Sequence, residues 1–427
     1  MPPRQCTKTK QEIANPSRRI CLPIDREDYD DLITNKQDFR EMIDYFVETY
    51  PELFPAEMAK GYQLYGFRRQ SVKMPDVQLR RICLNERDAE GRLQVYTITP
   101  SFILPYMMGD ADEIEKALFL RRFGVPFWAL TYVFGHNDMY WQRLMARFGT
   151  TDIVGTSIKD PQHLPKDLLA DEKHTHFNGE KAYIATTVGS DCVLGASIIL
   201  SATEEQLTSA YGQFKEEAQH LKPDYQPETV NTDGWSATQL AWKTLFPSVV
   251  IIQCFLHAFI TIRSRCKRLK DLFPLITQQV WDIYHAETSD SFKQQIDELR
   301  TWAQEHLSSF ALQSVLKLCD KSHLFGLAFE YPNAYRTSNM LDRHMEPMDR
   351  YLYSTRYFHG HLMTADYQIR TWALFHNFQP YCPRSKIGKK YRSPFHKLNG
   401  FVYHHNWLQN LLVASSLGGR YATNTKR

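Results

Sequence analysis

The chain contains no run of about 18 apolar residues, which argues against a membrane-spanning helix. Its first residues, Met-Pro-Pro-Arg-Gln-Cys-Thr-Lys, lack the apolar centre of a secretory signal. A cytoplasmic protein is the expectation. There are eight cysteines (Cys6, Cys21, Cys83, Cys192, Cys254, Cys266, Cys319 and Cys382), and no two form a Cys-x-x-Cys pair. At this length and spacing a disulfide framework is not expected. No segment repeats and no tract is of low complexity, so a solenoid is excluded.

What is present describes a globular protein. The 427 residues are 43% hydrophobic, 23% charged and 13% aromatic, enough for two or three domains. The net charge of +3 hides an uneven distribution. Residues 1–150 hold 21 bases and 21 acids, whereas residues 351–427 hold eleven bases and only Asp366 as an acid. The run 258–270 holds Arg263, Arg265, Lys267, Arg268 and Lys270 and no acid. One-sided clusters of this kind suit a polyanion; solubilising surface charge is the other reading.

Periodicity divides the chain. Residues 1–110 give few signals: a helix from about Asp38, and two strand-like runs flanking a hairpin turn at 85–91. Residues 111–150 read as three short helices separated by Gly124-Val-Pro126 and Gly135-His-Asn-Asp138, the outline of a helix-turn-helix. Arg143 and Arg147 lie on the polar side of the third helix. A plain helical bundle would show the same pattern. Residues 160–257 change to strand periodicity, with Asn178-Gly179 as a hairpin turn. The order is three strands, helix, strand, helix, strand. Residues 258–335 read as helices throughout. Residues 336–378 contain two further helices, and 379–427 read as a basic, mobile C-terminal tail.

Three acids stand at notable places in this pattern. Asp171 interrupts the first apolar strand, Asp233 follows the fourth, and Asp342 lies in the helix after the all-helical segment. Two strand carboxylates and one helix carboxylate are what a two-metal phosphodiester site uses, because Mg²⁺ takes oxygen ligands. Each could also be a surface acid, and Asp233 before Gly234 could cap a helix. Glu346 and Asp349 share the helix face of Asp342, so Glu346 is an alternative third acid. Arg343 and Arg350 flank this row and could hold phosphate or pair with these acids. Cys254-x-x-His257 could begin a zinc site with His174 and His176, brace the strand end, or offer His257 to a phosphate or water. The run Tyr351–His361 mixes aromatic and cationic groups, suited to stacking on nucleic acid or to core packing.

Together these motifs resemble the DDE/D transposases of prokaryotic insertion sequences, most closely the Mutator-like superfamily. The resemblance rests on Asp171, Asp233, Cys254 with His257, the helical 258–335 and Ser338-Asn-Met-Leu-Asp342-Arg343, over residues 160–378. It implies a ribonuclease H-like α/β core: a mixed five-stranded sheet flanked by helices and interrupted by an all-helical insertion, with a mainly helical N-terminal DNA-binding region. It implies metal-dependent cleavage and strand transfer of DNA, with two Mg²⁺ or Mn²⁺ ions on Asp171, Asp233 and Asp342, supported by His257 and Cys254. The implied partners are double-stranded DNA, both terminal inverted repeats and target, and a second copy or higher oligomer on that DNA, in the nucleoid. Arg143, Arg147, Arg263, Arg265, Lys267, Arg268, Lys270, Arg343, Lys389 and Lys390 are the expected DNA contacts. The family's last acid is usually Glu; here it is Asp, one methylene shorter. An inactive DNA-binding descendant, or a nuclease without strand transfer, would share this pattern.

Overall fold

The computed structural model describes residues 17–105 and 108–420. Among these the chain is mixed α/β, with two open sheets. The first sheet comprises β1 (Arg19–Leu22), β2 (Tyr62–Phe67), β3 (Arg80–Arg87) and β4 (Leu93–Pro100), in the order β1-β4-β3-β2. Helices α1 (Arg26–Leu32) and α2 (Lys36–Thr49) precede β2, and Phe39, Ile43 and Phe46 of α2 turn their shared face inward. Then come α3 (Ala111–Arg121), α4 (Phe127–Phe134), α5 (Asp138–Phe148) and α6 (Ile153–Ser157).

The second sheet has five strands: β5 (Asp167–Phe177), β6 (Glu180–Gly189), β7 (Cys192–Ile199), β8 (Thr229–Thr232) and β9 (Val250–Gln253), in the order β7-β6-β5-β8-β9. The hairpin β5–β6 turns at Asn178 and Gly179, both at positive φ, as an Asn-Gly turn requires. β5, β8 and β9 run parallel, and β5, β6 and β7 antiparallel. Helices α7 (Glu204–Leu221) and α8 (Ser236–Leu245) supply the crossovers to the parallel strands. Leu207, Tyr211 and Phe214 of α7 and Trp242 of α8 fill one face of the sheet.

After β9 the chain leaves the sheet through α9 (Phe255–Cys266), α10 (Leu272–Tyr284), α11 (Ser289–His306), α12 (Ser309–Asp320) and α13 (Ser322–Gly326). These helices bury their own apolar cluster, including Phe255, Ile276, Leu299 and Val315. α14 (Asn339–Ser354) and α15 (Leu362–Phe378) then return to the sheet. α15 also covers the edge strand β7: Asn377 donates to Val193 O and accepts from Val193 N, both at 2.8 Å, and Asp366 accepts from Ile198 N at 3.1 Å. An edge whose backbone groups are already paired offers no template to another strand.

Two expectations differ from this architecture. The N-terminal region, though mainly helical, is not helices alone: between α1–α2 and α3–α5, residues 19–100 also build a four-stranded sheet that the expectation lacked. β1 is only four residues long and finds its parallel partner β4 more than seventy residues later, a pairing that local periodicity cannot reveal. The C-terminal segment is not a loose tail, because α16 (Pro394–Asn399) and α17 (Trp407–Ala414) are folded. Leu408, Leu411, Leu412 and Val413 are fully buried in the cluster that holds Ile20, Phe39, Leu118 and Trp372. The bases that dominate the local charge lie mostly upstream, at 384–392, and mask this apolar run. The same cluster continues onto the sheet through Leu169 and Ile184, so β1 and α17 share one core with it. No helix among the described residues is long and apolar enough to cross a membrane.

Leu411→Ala should therefore cost about 2–5 kcal/mol, the range for emptying a buried leucine site, whereas Lys389→Gln with Lys390→Gln should change stability by less than about 0.5 kcal/mol each. Denaturant unfolding measures both; a Leu411→Ala protein as stable as the parent would show that α17 is not part of the core.

Candidate active site

The site is built on the centre of the five-stranded sheet. β5 and β8 pair in parallel with Asp167 opposite Thr229, Leu168 opposite Val230 and Leu169 opposite Asn231. Two residues further along each chain stand Asp171 and Asp233, so this register carries both carboxylates to the same level. Asp233 lies just past the end of β8, where the chain turns into α8. Gly234 makes that turn at φ +97°, with the Gln253 amide so close that a Cβ would strike it. Gln253 ends β9, and its Oε1 is buried with no donor.

Asp342 comes from the first turns of α14, and two anchors hold that helix. At its start, Ser338 N donates to Cys254 Sγ at 3.2 Å, and Ser338 Oγ donates to Asp342 Oδ2 at 3.0 Å. Beyond its end, Phe358 N donates to His176 O at 3.2 Å and Asn178 N to Phe358 O at 2.9 Å, which straps the chain to the far end of β5. Between them, Lys173 of β5 forms an ion pair of 2.7 Å with Asp349.

The electrostatics show which groups share one environment. Burial, and then the charge of Asp233, push the Asp171 carboxyl up to about 6, while His257 opposes the shift and Asp342 adds to it. His257, in the first turn of α9, is held up to about 9, chiefly by its interaction with Cys254 and also by Asp171 and Asp233. Burial pushes the Cys254 thiol up, but its bonds to His257 and Ser338 outweigh that and leave it below its usual range. The structure thus brings Asp171, Asp233, Asp342, His257 and Cys254 together. It turns the rivals of Asp342 elsewhere: Glu346 pairs with Arg350, and Asp349 with Lys173. Cys254 serves as a brace for Ser338. His174 and His176 face Tyr183 and Tyr357 instead of completing a zinc site. In the 351–361 run Tyr351 and Phe358 are core residues, while Tyr353 is exposed.

Each acid turns one oxygen to its own chain. Asp171 Oδ1 accepts from Glu172 N and Asp233 Oδ1 from Trp235 N, both at 2.8 Å, as Asp342 does from Ser338. As the side chains stand, no group of three His, Cys, Asp or Glu among the described residues converges enough to hold an ion. The donor set nevertheless fits a hard cation. Asp233 and Asp342 each disfavour the charged form of Asp171, and no ion pair with Arg or Lys engages Asp171 or Asp233 among the described residues. Acidic oxygen ligands in excess over local positive charge are what Mg²⁺ or Mn²⁺ requires.

The expected DNA contacts fall on exposed surfaces. Arg263, Arg265, Lys267, Arg268 and Lys270 are exposed on the last turns of α9 and just beyond, on the helix that begins at the site. Arg343 is exposed next to Asp342, and Lys389 and Lys390 are exposed in the segment before α16. Arg143 and Arg147 are exposed on α5, whose Trp141, Leu144 and Phe148 face the core.

Sequence reasoning missed Glu172. It points to the sheet face opposite Asp171, where its Oε1 accepts from Tyr211 Oη at 2.6 Å and Thr238 Oγ1 at 2.7 Å. Burial pushes this carboxyl up to about 7. It ties α7 and α8 to β5 directly behind the site. The signal was slight: strand alternation puts Glu172 on the face of Leu168 and Ala170, and an acid on that apolar face needs partners. Family models match no part of the chain, and no curated protein matches it.

The raised Asp171 carboxyl carries a stability consequence. Between the ordinary value of 3.8 and about 6 the folded protein keeps a proton that the unfolded chain has released. Stability therefore falls as pH rises through that window. Asp171→Asn should stabilise the metal-free protein by about 3 kcal/mol at pH 7 and by little at pH 4, measured by denaturant unfolding. Equal effects at both pH values would mean that Asp171 ionises freely in the fold.

Proposed function

We propose that this chain is a DDE/D-type transposase, an enzyme that cleaves DNA at the ends of a mobile element and joins those ends to a target, built on a ribonuclease H-like core. The observation that carries this reading is the meeting of Asp171, Asp233 and Asp342 from β5, the end of β8 and α14, on a sheet of order β7-β6-β5-β8-β9. Three antiparallel strands followed by two parallel crossovers, with a helical insertion before the acid-bearing helix, is the arrangement that the motif resemblance implies.

Asp171, Asp233 and Asp342 would hold the divalent ions. Such ions supply activation of an attacking oxygen and charge neutralisation at phosphorus. The chain's own groups do the rest. The β5–β8 register and the two anchors of α14 fix the three carboxylates relative to one another. His257, kept protonated near neutral pH by Cys254 and the acids, offers a positive charge and a proton donor to a phosphate oxygen. Gln253 presents an unused acceptor beside Asp233. The exposed bases on α9, together with Arg343, Lys389 and Lys390, follow a phosphate backbone, and Arg143 and Arg147 present α5 to a duplex. With no seryl or tyrosyl nucleophile required, water and then a freed 3′-hydroxyl serve as attacking groups.

The test uses purified full-length chain and a labelled duplex carrying the DNA that flanks the gene, with Mg²⁺ or Mn²⁺. Nicking and joined products are expected from the parent protein. Asp171→Asn, Asp233→Asn and Asp342→Asn should each lower cleavage at least about a thousandfold, the scale of losing a principal electrostatic stabiliser, while leaving duplex affinity within a few-fold. Full cleavage by Asp342→Asn alongside an inactive Glu346→Gln would move the third ligand one turn along α14. Nicks without joined products would reduce the activity to that of a nuclease.

A further inference from the structure

We infer that the exposed edge of the four-stranded sheet, β2 and the loop after it, is a contact surface for double-stranded DNA separate from α5 and α9. The inference rests on the reading of the chain as a DNA-processing enzyme and deepens it.

β2 lies at the end of the order β1-β4-β3-β2, with one side unpaired. Its outward positions Gln63 and Tyr65 are exposed, and so are Gly66, Phe67, Arg68, Arg69, Gln70, Val72 and Lys73. Residues 62–75 hold three bases and no acid. No ion pair engages Arg68, Arg69 or Lys73 among the described residues. Arg81 lies over the Tyr65 ring at 5.3 Å, while Arg80, itself buried and bonded to Ile33 O, underlies Phe67 from the inner side at 4.5 Å. Stacking of this kind orients a guanidinium without neutralising it.

A solvated loop would need none of this apolar exposure. Tyr65 is 44% exposed, Phe67 40% and Val72 98%, all beside unneutralised bases. Ring faces and aliphatic tips interleaved with cations match a surface that alternates phosphate with sugar and base edge. The geometry also fits. β2 pairs antiparallel with β3 at the sheet edge, Tyr62 opposite Leu84 and Phe67 opposite Arg80, and its register shifts between Leu64 and Phe67, so the edge is irregular where Gly66 and Phe67 are exposed. Gly66, at φ +75° with open space around it, leaves room for close approach of a backbone.

The experiment compares the full-length chain with an R68Q/R69Q/K73Q variant by fluorescence anisotropy across rising salt. The probe is a duplex of about 30 base pairs of arbitrary sequence, roughly three helical turns. Losing three phosphate contacts should make the slope of log affinity against log salt shallower by about 2 to 3. Binding should weaken at least tenfold at low salt. An unchanged slope with unchanged affinity overturns the surface while leaving the DNA-processing reading intact, and a parent protein that binds no duplex overturns both. Hydrogen exchange on the unmodified chain provides a second readout that does not depend on the variant folding. Duplex should slow exchange in residues 62–73, and exchange there at the same rate with and without duplex overturns the proposal.

Discussion

The parallel pairing of β5 with β8 is the constraint on which the rest of the site depends. Leu169 opposite Asn231 puts Asp171 opposite Asp233 in level, and a slip of one residue would turn one of the two carboxylates to the other face of the sheet. The slip is resisted from both faces. Leu168 and Val230 are buried against α7 and α8, Leu169 against the cluster on the other side, and Glu172 binds Tyr211 and Thr238 through one oxygen. The strand is thus pinned by apolar packing on two faces and by a polar clamp, and the acids take their places as a by-product of that packing.

The helix carrying the third acid is held differently. α14 has no strand register to fix it, so the chain anchors it at both ends. Cys254 and Ser338 hold its start to the end of β9, and Phe358 pairs with the backbone of β5 beyond its end. The insertion α9–α13, with its own core, can therefore intervene in sequence without displacing Asp342. The resulting cluster opposes stability: burial and the charges of Asp233 and Asp342 raise the Asp171 carboxyl, and the bond from Glu172 N and the charge of His257 offset them only in part. Functional sites tolerate such local cost when the surrounding fold over-determines the geometry, and here two sheet faces and two helix anchors do so.

Much of this was legible in the sequence, for identifiable reasons. The strands 168–200, the Asn178-Gly179 hairpin and the helices of the insertion are local patterns, and the three acids stand within β5, just past β8 and in the first turn of α14. What was hidden is non-local. β1 becomes a strand only because β4 lies beside it. The exposed strand β2 shows no apolar alternation, since it buries little. α17 is apolar but follows a basic stretch that dominates any count of charge. Cys254 reads as half of a metal motif until Ser338, eighty-four residues away, is seen to use its sulfur. Lys173 gives no hint in sequence that it selects Asp349 and so leaves Asp342 to the site.

The central claim is that Asp171 and Asp233 face each other across one cation site. A crystal of the full-length chain soaked in Mn²⁺ and measured near the manganese absorption edge tests it most directly. The account predicts an anomalous peak bridged by Asp171 and Asp233 with Asp342 at its margin. A peak held by other residues, or none between these two carboxylates at saturating Mn²⁺, would contradict it.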